Sequence, residues 1–185
     1  MDLRGILLAR HGETDDNVAP LRFQGFTDTP LNDTGRRQAH ELAEKVAAEY
    51  QVASLWSSDL SRARETAEIV GARIGLTPTL DARLREGNRG RWEGHLMADI
   101  EREEPELYAA WLRGGAEFRF PGGESLAEHQ QRVIAAVTDI HAAGPLPALV
   151  VCHGGSIRVV LCARDPRGLD AFHDFDVPNV AVVPL

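Results

Sequence analysis

Two kinds of apolar pattern alternate along the chain, and each dictates a different element. Short, nearly continuous apolar runs at Ile6 to Ala9, Val52 to Ser57, Ala148 to Cys152 and Val180 to Val183 predict buried strands, because a strand covered on both faces shows little alternation. Between them apolar residues recur at helical spacing. Ala39, Leu42, Ala43, Val46 and Tyr50 follow Asn32, an N-cap residue type, and Leu60, Ala63, Ala67, Val70 and Ile74 follow Ser58 or Asp59. Leu126, Val133, Val137 and Ile140 follow the capping box Ser125-Leu126-Ala127-Glu128, and a further apolar helix is predicted to open at Gly154 and Gly155. Strands alternating with helices predict an α/β fold, expected here as a three-layer α/β/α sandwich with a mostly parallel central sheet.

Two stretches depart from this rhythm. Residues 12–31 are rich in Gly, Asp, Thr, Asn and Pro and read as a long loop, the kind that in a compact domain usually carries function. Residues 95–120 read as a helical insertion whose acidic run, Glu101 to Glu106, is a solvated helix face. Its aromatics Tyr108, Trp111, Phe118 and Phe120 either line a pocket or form a small core of their own. The insertion, bounded at about 93–123, is expected to cover the site as a small helical cap. No repeat, low-complexity segment or linker divides the chain, so residues 1–185 are expected to form a single domain.

Composition narrows the partners more than the fold. A hydrophobic content of 43% with 26% charged residues is ordinary for a soluble protein, and no apolar run reaches the length of a membrane span. The first strand begins too near Met1 to leave room for a signal peptide, so a cytoplasmic protein is expected. The net charge of −8 argues against a nucleic-acid partner. Lys45 is the only lysine, a skew better explained by coding bias than by phosphate binding. Cys152 and Cys162 are too few for metal ligation and are expected to be buried, inert thiols.

The candidate chemistry lies at strand ends. The first run stops at Arg10, His11 and Gly12, and the third stops at His153, Gly154 and Gly155. Parallel sheets bind ligands at the carboxyl ends of their strands, and the helix opening at Gly154 turns free N–H groups and a positive dipole end toward an anion. In the long loop Asn17, Arg22, Gln24 and Gly25 could reach a bound anion, although Asn17 also suits a turn cap. Arg62, in the first turn after the second strand, aims a cation at the same edge, whereas Arg64 points to the surface. Glu86 precedes a glycine-rich stretch from Gly87 to Gly94 and taken alone reads as a solvated acid.

Leu8-Ala9-Arg10-His11-Gly12-Glu13-Thr14 resembles the signature of the histidine phosphatase superfamily, the phosphoglycerate-mutase-like enzymes. Matching pieces follow in the family's order: Ser57 to Ala63, Leu84-Arg85-Glu86, Pro121 to Ser125, and His153-Gly154. The resemblance implies that His11 is a nucleophile that becomes phosphohistidine. It implies that Arg10, Arg62 and His153 clamp the phosphoryl oxygens, with Asn17 and the Gly154 N–H as helpers, and that Glu86 is the acid and later the base. It implies neither metal nor other cofactor. Many relatives carry an aromatic where Arg89 stands, so either the local backbone or the pocket wall is expected to differ there.

Three activities fit. A small phosphatase acting on a small phosphorylated metabolite leads, because family mutases tend to be longer. A phosphoglycerate-mutase-type transfer is the alternative, and a non-catalytic phospho-ligand-binding relative is the third, disfavoured because His11 and Glu86 are both present. A two-His, one-carboxylate metal site of His11, His153 and Glu86 is a further alternative, opposed by the arginines at the same strand ends. The chain is expected to work as a monomer or homodimer.

Overall fold

The computed structural model describes residues 2–185. Its centre is a five-stranded sheet in the order β3-β2-β4-β1-β5, made of β1 (Ile6–Arg10), β2 (Ser54–Ser57), β3 (Thr79–Leu80), β4 (Ala148–Cys152) and β5 (Val182–Pro184). All neighbours run parallel except β5, which lies antiparallel to β1. The register sets Arg10 beside Cys152, so the residues that follow, His11 and His153, leave the sheet side by side.

Side-chain alternation divides the core into two layers. Leu7, Ala9, Leu149 and Val151 point to the face covered by α1 (Asp33–Glu49) and α2 (Ser61–Ile74). Ile6, Leu8, Val150 and Cys152 point to the face covered by α5 (Leu126–Ala143) and α6 (Gly154–Cys162). This is the three-layer α/β/α arrangement expected from the sequence. Between β3 and α5 the chain forms α3 (Met97–Glu103) and α4 (Pro105–Arg113), whose aromatic residues join the α5–α6 core layer. Trp92, fully buried, is surrounded by Phe23, Tyr108, Trp111, Phe118 and Phe120, an aromatic cluster that welds the 95–120 insertion and the 12–31 loop together.

The caps at Asn32 and Ser125 are as expected: Asn32 accepts from the Gly35 N–H at 2.8 Å, and Ser125 with Glu128 forms the reciprocal box. Neither Ser58 nor Asp59 caps α2. Ser58 Oγ is engaged by His153 and by the Leu60 N–H, Asp59 pairs with Arg85, and Leu60 occupies the cap position. The last strand starts at Val182 rather than Val180, because Val180 has φ +55°, which no strand residue adopts. The two-residue strand β3 at the sheet edge carries too little pattern to be read from sequence. Among the described residues no helix is long and apolar enough to cross a membrane.

Candidate active site

His11 and His153 stand at the ends of adjacent parallel strands with their ring centroids 5.1 Å apart. The His11 Nδ1–H donates to the Gly12 carbonyl at 2.6 Å, which fixes the tautomer and leaves Nε2, without a partner among the described residues, as the lone-pair nitrogen. Burial, followed by the charges of Arg62 and Arg10, holds the His11 imidazole well below its usual pKa, so it is neutral at physiological pH. The backbone behind it is tightly built: Gly12 N–H donates to Thr66 Oγ1 at 3.1 Å, and a Cβ on Gly12 would overlap the Gly35 carbonyl at the start of α1. His153 is fully buried and pairs through Nε2 with Ser58 Oγ at 2.9 Å, and its Nδ1 has no partner.

Unpartnered nitrogens recur on the two arginines. Arg10 donates from one terminal nitrogen to the Val177 carbonyl at 2.6 Å, and its buried Nε is free. Arg62, fully buried, donates to the Thr27 and Gly25 carbonyls at 2.8 and 2.9 Å and likewise keeps a free Nε. Burial lowers the Arg62 guanidinium to about 10, against the raising effect of Glu86, so it stays charged. Arg62 does not line the cleft; it is buried and holds the loop at Gly25 and Thr27. Arg64 makes the surface ion pair expected of it, with Glu68 at 3.8 Å.

A cleft with a volume of about 320 Å³ is lined by Arg10, His11, Asn17, Gln24, Gly25, Glu86 and Gly154 among other residues. Asn17 Oδ1 accepts from the Thr14 N–H and from Asn179, so only its amide NH₂ remains for a ligand. The Gln24 amide donates to Thr14 Oγ1, which makes Gln24 a holder of the loop. Gly25 has φ +55°, and a Cβ there would strike the Glu93 carboxylate. Glu93 Oε1 itself accepts from the Phe26 and Arg89 N–H groups at 2.8 and 2.9 Å, so it ties two loops together. The Gly154 N–H has no partner among the described residues, but the next one, of Gly155, donates to Glu86 Oε2 at 2.9 Å.

Glu86 is far from a solvated acid; its side chain is 13% exposed. Its segment is clamped by Arg132, which pairs in a fork with Glu124 at 2.8 and 2.7 Å and donates to the Arg83, Arg85 and Glu86 carbonyls. Burial by itself would raise the Glu86 carboxyl. Burial is the largest single influence, but the charges of Arg89 and His129 and the N–H groups of Gly87 and Gly155 together outweigh it, and the carboxyl sits at about 2. Arg89 places a terminal nitrogen 3.4 Å from Glu86 Oε1, and His129 Nε2 lies 3.9 Å from the same oxygen.

Sequence reading singled out Arg89 only as a departure from relatives in the local backbone or pocket wall, and missed Arg158 altogether. Arg158 had a local signal, since it lies four residues after Gly154 on α6 and therefore shares its face. Arg89 had none, because a glycine-rich stretch has no periodicity from which a direction can be read. Of the insertion's aromatics, Trp111 lines the cleft, whereas Phe118 and Phe120 are buried in the cluster around Trp92. The acidic run is only partly solvent-facing, since Glu104 accepts from Arg91 and from the Trp92 indole N–H. Both cysteines are buried and free, and burial pushes the Cys152 thiol up to about 12. Among the described residues no three His, Cys, Asp or Glu side chains are grouped to hold a metal ion.

A model of the histidine phosphatase superfamily (branch 1) matches residues 6–185. The chain is 38% identical over 163 residues to phosphoglycerate mutase-like protein 4 of Arabidopsis thaliana, covering 85% of this chain and 70% of that protein. It is also 38% identical over 172 residues to glucosyl-3-phosphoglycerate phosphatase of Mycobacterium tuberculosis, covering 88% and 76%. A solved structure of a mycobacterial glucosyl-3-phosphoglycerate phosphatase in complex with VO3 superposes with a TM-score of 0.87 at 34% identity, covering 97% of this chain and 90% of that one.

Proposed function

The chain belongs to the histidine phosphatase superfamily and is a phosphomonoester hydrolase of it, and we propose that it works through a phosphohistidine at His11, without a metal, on a small phosphorylated metabolite. The observation that carries this is the His11 ring, neutral, oriented by the Gly12 carbonyl and 5.1 Å from the His153 ring, together with the buried, unpartnered nitrogens left on Arg10, Arg62 and His153. A neutral imidazole is a nucleophile, and preorganised cationic donors stabilise the charge on a transferring phosphoryl group without a metal ion. The VO3 complex of the mycobacterial relative is in keeping with an oxoanion site in this fold.

In the first step the His11 Nε2 lone pair forms a bond to phosphorus as the ester P–O bond breaks, and protonated Glu86 gives its proton to the leaving alkoxide. In the second step the Glu86 carboxylate takes a proton from water, the water oxygen bonds to phosphorus, and the P–N bond breaks to release inorganic phosphate. Arg10, Arg62 and His153 bind the phosphoryl oxygens throughout, with the Asn17 amide and the Gly154 N–H beside them, and the 95–120 insertion walls the leaving-group side. Gln24 and Gly25 shape the loop that Arg62 holds. Glu86 is ionised in the unliganded cleft, so its turn as an acid requires the anionic substrate, whose charge beside it raises its pKa. The two free cysteines are in keeping with a cytoplasmic enzyme.

Rapid-quench of the wild-type protein with p-nitrophenyl phosphate, followed by peptide mass spectrometry, is expected to find the phosphoryl group on His11. His11→Ala is expected to abolish both the adduct and turnover, and activity is expected to survive exhaustive chelation. Loss of activity with EDTA, restored by a divalent ion, would overturn the mechanism. Interconversion of 3- and 2-phosphoglycerate without phosphate release would replace hydrolysis by mutase-type transfer.

A further inference from the structure

The stretch before β5 runs along the phosphoryl end of the site. The Val177 carbonyl accepts from Arg10 at 2.6 Å, the Ala181 carbonyl accepts from the Arg10 backbone N–H at 3.1 Å, and the Val180 N–H donates to the His11 carbonyl at 3.4 Å. A turn over Pro178 to Ala181, closed by the Ala181 N–H on the Pro178 carbonyl at 3.1 Å, sets Val180 at φ +55°, in the left-handed region that β-branched residues avoid. Strain of this kind persists only where surrounding contacts impose it, and it clusters at functional sites. The strained turn carries Asn179, a side chain with no part in the chemistry proposed so far.

Asn179 Nδ2 donates to the His11 carbonyl at 3.0 Å and to Asn17 Oδ1 at 3.3 Å. The polarity of this row of bonds is forced at both ends. A carbonyl only accepts, so the Asn179 atom beside His11 is its nitrogen; the Thr14 N–H only donates, so the Asn17 atom beside it, at 3.3 Å, is its oxygen. Thr14 alone would hold the Asn17 amide by one long bond, which fixes one atom and leaves the plane free to turn about it. Asn179 supplies the same oxygen with a second donor. The Asn17 NH₂ is then the end left for the cleft, which Asn17 lines and Asn179 does not. For an anion the choice of end decides the sign of the contact: the NH₂ donates to a phosphoryl oxygen, whereas the amide oxygen would repel it.

We propose that Asn179 is a positioning residue of the phosphoryl site, which fixes the Asn17 side-chain amide with its NH₂ toward the bound phosphoryl oxygens. This rests on the hydrolase reading above, which sets Asn17 beside those oxygens, and adds the residue that decides which end of the amide they meet. Loss of Asn179 does not strand the His11 carbonyl, which keeps the Val180 N–H, so its effect passes through Asn17.

The test is a double-mutant cycle read with inorganic phosphate, titrated calorimetrically into wild-type protein, Asn17→Ala, Asn179→Leu and the pair. Asn17→Ala, which loses a hydrogen bond to a charged group, is expected to weaken phosphate about tenfold or more, and Asn179→Leu about three- to tenfold. The pair is expected to bind no more weakly than Asn17→Ala alone, because Asn179 then has nothing to orient. Asn179→Ala, which removes the amide without adding bulk, is carried alongside in case the turn rejects leucine. In proton–nitrogen correlation spectra the Asn17 side-chain NH₂ signals, identified by their loss in Asn17→Ala, are expected to shift when phosphate binds wild-type protein and to shift less in the Asn179 variants. Losses that add in the pair, Asn17 NH₂ signals that ignore phosphate in wild-type protein, or Asn179 variants with unchanged phosphate affinity would overturn the proposal. Because the probe is phosphate itself, the cycle is read without turnover. Coupled losses in a protein that releases no phosphate from p-nitrophenyl phosphate would keep the positioning role and remove the hydrolase; additive losses in a protein that does release it would do the reverse.

Discussion

The two ends of the cleft are built on different principles. At the His11 end Arg10, His11, His153 and Arg62 hang from a strand end or the first turn of a long helix, and, apart from Ser58 on His153, the groups that orient them are backbone: the Gly12, Gly25, Thr27 and Val177 carbonyls. At the Glu86 end the acid sits on an irregular segment held by side chains, with the Arg132–Glu124 fork gripping the loop and Arg89 and His129 facing the carboxyl. A sheet and its backbone place atoms rigidly whatever the side chains nearby, and this suits the step common to all phosphomonoesters. Side-chain scaffolding can change residue by residue, and in the proposed mechanism it stands at the end where the leaving group differs between substrates.

Separating the two ends by leaving group gives the sharpest break. Glu86→Gln is expected to slow phosphorylation by an alkyl phosphate by on the order of 10²–10⁴, because the alkoxide needs its proton. With p-nitrophenyl phosphate, whose phenolate leaves unprotonated, the same variant should still give a fast burst and then stall as the phosphoenzyme. Equal slowing of both substrates in rapid-quench experiments would take the acid role from Glu86. At the His11 end the effect should ignore the leaving group: Arg62→Ala is expected to cut kcat by roughly 10² for both substrates. Arg64→Ala, which loses only an exposed ion pair, should change stability by ~0–1 kcal/mol and turnover little. Steady-state kinetics of the two folded variants ranks them, and the reverse order would refute the assignment.

Arg132, which grips the Glu86 segment and does not line the cleft, sharpens the comparison. Arg132→Met is expected to cost about 2–4 kcal/mol in urea denaturation, since it strands Glu124 and three carbonyls. Because it works through the acid, its kinetic effect should be larger for an alkyl phosphate than for p-nitrophenyl phosphate; a uniform loss would mean a purely structural clamp.

The smallest effect is a pH dependence of stability at the Glu86 end. Burial draws the His129 ring from its usual 6.5 to about 4, so below pH 6.5 the unfolded chain binds a proton that the folded one refuses. The sign follows: stability is full above 6.5 and falls as pH drops through 4, by about 1.4 kcal/mol per pH unit for this one group. His11 and His153 shift in the same direction. His129→Leu should therefore shallow the acid slope of denaturation midpoints without removing it, and an unchanged slope would mean that His129 does not resist protonation in the folded state.

What the sequence determined by itself was whatever local pattern encodes. Apolar runs ending in His11 and His153, helical spacing after Asn32 and Ser125, and Arg62 in the first turn of a helix each rest on neighbours a few residues apart, so the sheet, its two helical layers and the strand ends that carry Arg10, His11 and His153 were legible. The strand-like run at Val180 shows the limit, because a turn forced φ to +55° where the side chains read as strand. The Glu86 end was decided only by tertiary structure. Arg89, His129, Arg132 and Gly155 come from a glycine-rich loop and two helices far apart in sequence, and they meet because the loop is drawn onto α5 and α6 by the Arg132–Glu124 fork. The direction of a side chain in an aperiodic segment is set by the packing that receives it, and packing is a property of the whole fold rather than of any window along the chain.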